Sequence, residues 1–341
     1  MNRTLLVTGG TGLIGGEVLL ALAERGHQLK ALVRAADDQA ARARLFERLS
    51  KSQRFHPDLM SRIRAVAGNT AAPRFGLQDT DLDFQCVIHC AADTSFRESE
   101  EVWNTNVQGA RNLVELGRAL HPGARIVFVS TASVSTGPRG GLVGEEQGAH
   151  PHDNTYTRSK REAERIVSES ALDAIILRPS IVLSRGVRDR AMARSILWAV
   201  PIMSEIGDVP VEPGAHIDLV PVDYVAEVTG ELATRPALRH RLYHLSAGED
   251  AEAFGALIEG LGREFPWVRR IRAQGARAKA ARKLGPLATY VPFINADVRY
   301  CNRRLRNELG EVGKPPRASS YLEELFERIS LRESYAEMAR P

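Results

Sequence analysis

The chain has too few cysteines to build a disulfide framework or a common zinc site. Its 341 residues include only Cys86, Cys90 and Cys301. Three thiols cannot close a set of bridges, and their spacing matches no familiar arrangement of zinc ligands. We therefore interpret the cysteines as reduced residues of a cytoplasmic protein, and we predict no metal.

Long apolar runs and a strong charge of one sign are also missing. No run reaches the roughly 18 residues that cross a bilayer, and Arg3 leads into an apolar strand without a region typical of a cleaved signal. The formal net charge of +4 is too small to indicate nucleic acid binding. We therefore expect neither stable membrane insertion nor a nucleic acid partner.

What is present is an ordinary globular composition with a regular alternation of segments. Hydrophobic residues make up 43% of the chain and charged residues 26%, which suits one large or two modest domains. Short, almost continuously apolar strands alternate with helical segments, and such alternation predicts a parallel sheet covered on both faces. The predicted strands are 4–8, 29–33, 63–67, 86–89, 125–129 and 174–177, and the predicted helices are 15–25, 39–50, 102–120 and one that carries Tyr156 and Lys160.

This alternation breaks near residue 179, where prolines become frequent. We therefore predict an α/β protein with a Rossmann-type doubly wound sheet in residues 1–178, and a smaller, mostly helical substrate-binding cap in residues 179–341 that interleaves with it. Residues 242–246 read as a strand that rejoins the sheet. Asp223 is expected to cap a helix beginning near Tyr224.

A glycine triplet follows the first strand directly. Gly9, Gly12 and Gly15 stand between that strand and the next helix. The first permits a tight turn, the second lets the backbone approach a pyrophosphate, and the third lets the helix pack closely, with its N-terminus facing the phosphates. The alternative is a flexible turn, but the position after the first strand favours a dinucleotide site.

The end of the second strand bears on which dinucleotide is bound. Enzymes that use NAD usually have an acidic residue there for the ribose hydroxyls, whereas this chain has Val33 followed by Arg34. Arginine suits the 2′-phosphate of NADP, and Arg44 on the next helix would add to the positive charge. We therefore predict a preference for NADP(H), with NAD(H) as the alternative if Asp37 or Asp38 binds the ribose.

Tyr156 and Lys160 lie four residues apart and share one face of a helix. A nearby ammonium lowers the pKa of a phenol from its usual value of about 10, so the pair would exchange a proton with a carbonyl or alcohol oxygen. Thr131, just after the fifth strand, would hydrogen-bond the same oxygen. The alternative is an exposed pair on an amphipathic helix, but active sites of this fold open at such strand ends.

These motifs resemble the extended short-chain dehydrogenase/reductase family over roughly residues 4–250. The resemblance implies that Thr131, Tyr156 and Lys160 are catalytic and that Lys160 also holds the ribose. The residues that it assigns to the cofactor are Gly9, Thr11, Gly12, Leu13, Ile14, Gly15, Arg34, Arg44, Asn69, Thr70, Cys90, Ala91, Ala92, Asn106, Lys160, Arg178, Pro179 and Ser180. Family members commonly carry Asp where this chain has Asn69, so adenine contact there would be through an amide.

Within that family the chain looks most like thioester reductases and fatty acyl-CoA reductases. The segments that carry this likeness include Arg178-Pro179-Ser180 and the run from Asp218 to Ala226. The implied activity is NADPH-dependent reduction of an acyl thioester, linked to CoA or to an acyl carrier protein, to an aldehyde or alcohol. The resemblance is also compatible with a homodimer.

Three alternatives remain open at this stage. A ketoreductase or alcohol dehydrogenase would use the same catalytic residues on a free ketone. A cofactor-retaining epimerase or dehydratase is a further possibility, but a dehydratase would need an additional acid–base pair beside Thr131, which Ala132-Ser133 does not provide. A regulatory protein that binds NADP without chemistry would usually have lost Tyr156 or Lys160.

Two further groups are less specific. The loop residues His150 and His152 precede Tyr156, but an exposed loop pair is the simpler interpretation. The stretch 269–283 has seven basic residues and no acid. It reads either as a solvated helix face or as a dock for an acidic carrier protein or the phosphates of CoA.

Overall fold

The structure is a computed structural model that describes residues 4–79, 82–96, 98–135, 140–145, 154–185, 199–275, 288 and 290–327. His150, His152 and the part of the basic stretch from Arg277 onward lie outside the described residues. Among the described residues, no helix has the length and apolar character needed to span a membrane.

The described strands are numbered in chain order. They are β1 (Thr4–Thr8), β2 (Gln28–Val33), β3 (Ile63–Ala67), β4 (Cys86–His89), β5 (Arg125–Val129), β6 (Leu142–Val143), β7 (Asp173–Pro179), β8 (Ile181–Leu183), β9 (Asp208–Val209), β10 (His216–Ile217), β11 (Leu219–Pro221), β12 (Leu242–Leu245), β13 (Glu252–Ala253), β14 (Arg272–Ala273) and β15 (Arg299–Tyr300).

The described α-helices are numbered in the same way. They are α1 (Leu13–Glu24), α2 (Asp38–Leu49), α3 (Glu100–Ala119), α4 (Thr155–Ser168), α5 (Ala199–Ile206), α6 (Val222–Thr234), α7 (Phe254–Glu264), α8 (Val291–Asn295), α9 (Arg303–Leu309) and α10 (Leu322–Glu327).

Seven strands form one parallel sheet in the order β12-β7-β5-β4-β1-β2-β3. The predicted α/β fold is therefore confirmed. The strand order reverses between β1 and β4, and in doubly wound sheets ligands bind at the carboxyl ends of the strands beside such a reversal. The residues that follow β1, β4 and β5 consequently lie around one crevice.

Helices cover both faces of this sheet and bury its apolar strands. On one face, Leu19 of α1 and Val228 of α6 belong to the same buried cluster. On the other, Leu113 of α3 and Val167 of α4 pack over the strands. Since α6 comes from the second half of the chain, that half contributes a helix to the sheet as well as the strand β12, which pairs in parallel with β7.

The cap is built around its own apolar cluster, which includes residues of α5, α7 and α10. The prediction that this part is mostly helical was incomplete, because the short strands β8 to β11 and β13 to β15 also lie there. They pair as β8 with β11, β9 with β14, and β10 with β13, while β15 pairs with β6. Two- and three-residue strands have too little periodicity to be recognised in a sequence.

The prediction for Asp223 was wrong. The helix α6 begins at Val222, and Pro221 occupies the capping position without a side-chain hydrogen bond. Asp223 therefore lies within the first turn, and its carboxylate is 3.5 Å from the guanidinium of Arg185.

Candidate active site

The loop between β1 and α1 has the close backbone contacts that only glycine allows. Gly9 has φ +72°, and a Cβ placed there would lie 2.7 Å from the Ala91 nitrogen. A Cβ on Gly15 would lie 2.4 Å from the Gly9 carbonyl oxygen. The turn is closed by a 2.8 Å hydrogen bond from the Gly12 N–H to that same oxygen. The glycines therefore form a tight cradle at the N-terminus of α1, as the motif predicts.

A buried polar cluster that the sequence reasoning missed lies beneath this cradle. Arg48 of α2 donates hydrogen bonds to the carbonyls of Gly12 (3.1 Å) and Leu13 (3.3 Å) and lies 3.3 Å from Glu17 of α1. Ser52 donates to the other Glu17 oxygen at 2.8 Å. Burial raises the pKa of the Glu17 carboxyl, and Ser52 and Arg48 oppose that shift. This cluster fixes α2 against the glycine loop.

The end of β2 presents Arg34 to solvent at the edge of the crevice. Arg44, also exposed, donates a hydrogen bond to the Arg34 carbonyl. Asp37 caps α2 by accepting the Ala40 N–H at 2.8 Å, and Asp38 accepts the Ala67 N–H at 2.8 Å. One oxygen of each carboxylate that could serve a ribose is thus bonded to the backbone of α2 or β3.

The segments after β3 and β4 line the same crevice. Asn69 is exposed, its side-chain oxygen accepts the Ala71 N–H at 3.0 Å, and Asn112 donates to the Thr70 carbonyl at 2.8 Å. The Ala91 N–H donates to the Thr8 hydroxyl at 3.3 Å. Ala91, Ala92 and Cys90 are partly exposed beside the glycine loop, together with Thr11, Leu13 and Ile14.

The sheet below this crevice contains a neutral histidine. His89 lies 2.9 Å from the Thr8 hydroxyl, and its ring stacks between Phe75 and Phe128 at centroid distances of 5.5 and 5.8 Å. Burial lowers the pKa of His89 to about 3. It is therefore a structural residue that supports β1 and β4.

Thr131, Tyr156 and Lys160 come together as predicted. Asn154 starts α4 with a reciprocal cap, because its side chain accepts the Thr157 N–H at 2.9 Å and its own N–H donates to the Thr157 hydroxyl at 3.1 Å. This places Tyr156 in the first turn, where the Thr131 side chain lies close enough to its phenol to lower the pKa of that phenol. One turn later, Lys160 is buried and its Nζ donates to the Val129 carbonyl at 2.8 Å.

The expected effect of Lys160 on the pKa of Tyr156 is not found. Burial raises the pKa of Tyr156 to about 12, and the hydrogen bond from Thr131 opposes this shift. Burial lowers the pKa of Lys160 to about 8, with Glu164 acting in the opposite direction. The phenol therefore holds its proton at neutral pH, as a proton donor for a reduction must.

Asn106 positions the site and does not face the crevice. Its side-chain oxygen accepts the Asp93 N–H, and its amide donates to the Asp93 carbonyl and to the Ser159 hydroxyl, all at 2.9 Å. The side chain is buried, so all its polar atoms are committed to the protein. The assignment of Asn106 to the cofactor was wrong: it fastens the loop after β4 to the catalytic helix α4.

The Arg178 side chain is also directed into the protein. Its Nε and Nη2 lie 2.9 and 2.5 Å from the two oxygens of Glu164, and Nη1 donates to the Ser135 hydroxyl at 2.7 Å. The residue is 1% exposed. Its guanidinium therefore cannot reach a cofactor, contrary to the prediction, because a carboxylate and a hydroxyl of the core hold it. Pro179 ends β7, and Ser180 follows at the rim, with its N–H bonded to the Leu245 carbonyl at 3.0 Å.

The residues present fit a dinucleotide. A Cβ on Gly12, the capping residue of α1, would meet only the Gly9 carbonyl oxygen, at 3.1 Å, so a ligand can approach the backbone at the N-terminus of this helix. The Ser130 hydroxyl, at the carboxyl end of β5 next to Thr131, is buried and has no hydrogen-bond partner within the described part of the chain, as expected of a group that faces a polar ligand. Among the described residues, no cluster of His, Cys, Asp or Glu has the arrangement of a metal site.

A family profile described as "Male sterility protein", an NAD-binding family, matches residues 7–229. The chain belongs to this family. Its fold is that of the extended short-chain dehydrogenases/reductases, which are NAD(P)H-dependent oxidoreductases, so the resemblance drawn from the motifs is confirmed. A nicotinamide dinucleotide is the cofactor class of this family, which agrees with the crevice described above.

Curated relatives include a peptide synthetase and an acyl-CoA reductase. A nonribosomal peptide synthetase, asaC of Aspergillus flavus, is 29% identical over 262 residues, covering 71% of this chain and 26% of the synthetase. Fatty acyl-CoA reductase 1 of Xenopus laevis is 27% identical over 278 residues, covering 67% of this chain and 54% of the reductase. The chain therefore spans only part of the curated relatives that it matches.

Solved structures with the same fold include reductase domains. The terminal R domain of the myxalamid PKS-NRPS pathway superposes with a TM-score of 0.77 at 23% identity, over 96% of this chain and 91% of that domain. A thiolation-reductase di-domain of an archaeal nonribosomal peptide synthetase gives a TM-score of 0.76 at 19% identity, over 96% and 75% of the two chains. At such identities the superpositions establish the fold.

Proposed function

We propose that the protein is an NADPH-dependent reductase that converts an acyl thioester to an aldehyde or alcohol. The observation that carries this proposal is the meeting of Thr131, Tyr156 and Lys160 at the carboxyl end of β5, beside the glycine loop. The fatty acyl-CoA reductase and the reductase domains among its relatives support a thioester as the substrate.

In this proposal the cofactor, when bound, supplies hydride to the thioester carbonyl carbon. Thr131 donates a hydrogen bond to the carbonyl oxygen, and the Tyr156 phenol delivers a proton to it. Loss of the thiol gives an aldehyde, and a second equivalent of NADPH and a proton would give the alcohol. The Lys160 ammonium, fixed by its hydrogen bond to the Val129 carbonyl, would hold the ribose of the cofactor beside this group.

The preference for NADPH rests on the end of β2. Arg34 directly follows β2 and is exposed, whereas Asp37 and Asp38 accept hydrogen bonds from the Ala40 and Ala67 amides. An exposed guanidinium binds a phosphate through charge-assisted hydrogen bonds. These contacts support NADP(H) over NAD(H).

The thioester would be presented by CoA or by a separate carrier protein. The di-domain relative joins a thiolation domain to its reductase. In this chain, a basic stretch begins with Arg269, Arg270 and Arg272, a few residues after α7 ends at Glu264. Such a surface would favour an acidic carrier protein or the CoA phosphates, and a KM that rises with ionic strength would support that role.

The test is product analysis by mass spectrometry from NADPH and a mixed library of acyl-CoA thioesters, acyl-carrier-protein thioesters and simple ketones. We expect aldehyde or alcohol from the thioesters, with one or two NADPH oxidised per thiol released. Reduction of ketones alone would replace the proposal with a ketoreductase, whose catalytic residues are the same. Binding of NADPH with no turnover of any substrate would indicate a regulatory protein.

A further inference from the structure

The cap contains a partly open apolar cavity that the proposed chemistry has not used. Its volume is about 90 Å³, and its described lining consists of apolar side chains and Tyr290. Leu183, Met203, Phe254, Leu257 and Phe326 are among the side chains that form the wall. The space lies between elements of the cap's own core, including α5, α7 and α10.

A row of aromatic rings connects this cavity to the catalytic phenol. The Phe96 ring stacks on Tyr156 with centroids 5.5 Å apart and on Tyr290 with centroids 4.9 Å apart. The interplanar angles are 24° and 22°. Phe293 adds a tilted contact with Phe96 at 5.4 Å. Since Tyr290 also lines the cavity, Phe96 occupies the space between the reacting group and the cavity wall.

The lining determines what kind of group the cavity can take. A carboxylate or ammonium that enters an apolar site without a partner loses its hydration and gains nothing in return. An aliphatic group, by contrast, gains free energy for each methylene removed from water. The volume of about 90 Å³ is below the roughly 150 Å³ of a dry cavity that holds benzene. The cavity therefore has room for only the last few carbons of an aliphatic tail without displacement of the wall.

We propose that this cavity binds the uncharged aliphatic end of the acyl group, and that Phe96 is the residue that selects for it. The inference rests on the proposed thioester reductase function and names the class of its substrate. The acyl tail runs past the Phe96 ring into the cap, and this holds the carbonyl carbon at Tyr156 and Thr131. Phe96 is thus a specificity-determining residue.

The first test measures binding without turnover. Two unreactive pantetheine thioethers are compared by calorimetry, one with an S-hexyl group and one with an S-(5-carboxypentyl) group. We expect the hexyl compound to bind at least about 10²-fold more tightly than the carboxypentyl compound, because the carboxypentyl compound must bury a carboxylate. Equal affinities, or no binding of the hexyl compound, would overturn the proposal.

A pair of variants locates the site. Val291 lines the cavity, so Val291→Phe fills it and is expected to weaken hexyl binding by about tenfold or more. Val312→Phe makes the same change at a valine that is 48% exposed and is expected to leave binding unaltered. If both variants bind the hexyl compound like the parent chain, the cavity is not the site.

Turnover separates this inference from the function on which it rests. With hexanoyl-CoA and adipoyl-CoA, we expect kcat/KM to favour hexanoyl-CoA, and Phe96→Ala to reduce that preference while Phe46→Ala, at an exposed phenylalanine, keeps it. Reduction of both thioesters at equal rates refutes the inference and retains the reductase. Selective binding of the hexyl thioether with no reduction of any thioester refutes the reductase and retains the apolar site.

Discussion

The Lys160 ammonium donates a 2.8 Å hydrogen bond to the main-chain carbonyl of Val129, the last residue of β5. Its Nζ also lies 4.2 Å from the centroid of the Phe128 ring. These contacts fix α4 against the strand that leads to Thr131. The geometry of the catalytic group is therefore set by a bond between a helix side chain and a strand backbone.

The buried position of Lys160 predicts a pH dependence for the reduction. Burial lowers its pKa to about 8, whereas the pKa of Tyr156 is raised to about 12. As pH rises through about 8, Lys160 loses its charge and can no longer make a charge-assisted hydrogen bond to the ribose. The phenol remains protonated over the same range. We expect kcat/KM to fall above that pH, in a steady-state profile with NADPH binding followed separately by fluorescence. Constant kcat/KM through pH 9 would contradict this assignment.

Removal of the Tyr156 hydroxyl tests its role as proton donor. Tyr156→Phe should lower kcat by about 10²–10⁴-fold, the usual contribution of a general acid, and should leave the Kd for NADPH nearly unchanged. Tyr224→Phe is the matched control, because it removes a hydroxyl that donates to the Gly313 carbonyl at 3.0 Å away from the site. Full activity in Tyr156→Phe would show that the proton comes from elsewhere.

The main sheet could be predicted closely from the sequence because its strands are short apolar runs bounded by polar or glycine residues. The bounds of β1, β3, β4 and β5 agree with the prediction residue for residue. Helix bounds differed by one or two residues, since they depend on caps such as the bond from the Ala40 N–H to Asp37.

Contacts between distant residues could not be predicted in this way. Glu17 and Arg48 are 31 residues apart, and each looks like a surface charge on its own amphipathic helix. The contact of Phe96 with Tyr290 joins the loop after β4 to a cap whose elements are too short for periodicity to reveal. Only the folded chain shows that the two members of each pair are in contact.

The choice between the two nicotinamide cofactors can be tested at Arg34. Arg34→Ala should raise the KM for NADPH by about 10–100-fold through loss of charge-assisted hydrogen bonds to the 2′-phosphate, and should leave the KM for NADH almost unchanged. Arg118→Ala, at an exposed arginine in the last turn of α3, is the control. If the KM values for both cofactors rise equally, Arg34 does not read the 2′-phosphate.

Removal of one partner from the ion pair between Glu164 and Arg178 should destabilise the fold, because both side chains are nearly inaccessible, at 2% and 1%. Glu164→Gln leaves a buried guanidinium without its counter-charge, a change that typically costs about 3–5 kcal/mol. The double variant Glu164→Gln/Arg178→Met should recover part of that loss.

Urea unfolding measures both effects, and Glu169→Gln provides the surface comparison. Glu169 pairs with Arg165 at 2.5 Å, but both side chains are more than half exposed, so the midpoint should hardly move. A Glu164→Gln protein as stable as the parent would show that the pair is not essential to the fold.

Asp218 predicts an unusual dependence of stability on mildly acidic pH. It is buried where the cap meets the sheet and accepts N–H bonds from Ala247 at 2.7 Å and Tyr300 at 3.3 Å. Burial raises its pKa to about 6, above the ordinary 3.8. The folded chain therefore takes up a proton near pH 6 that the unfolded chain does not, so this group adds stability as pH falls from 7 towards 4.

Asp218→Asn keeps an acceptor oxygen and removes the ionisation. Between pH 7 and pH 5, the free energy of unfolding of the parent chain should increase relative to that of Asp218→Asn by about 1 kcal/mol, measured by urea unfolding at both pH values. Burial also raises the pKa of Glu145 to about 6. The same comparison with Glu145→Gln should therefore give a difference in the free energy of unfolding of the same sign. Parallel pH curves for the parent and Asp218→Asn would mean that this carboxyl titrates at its ordinary pKa.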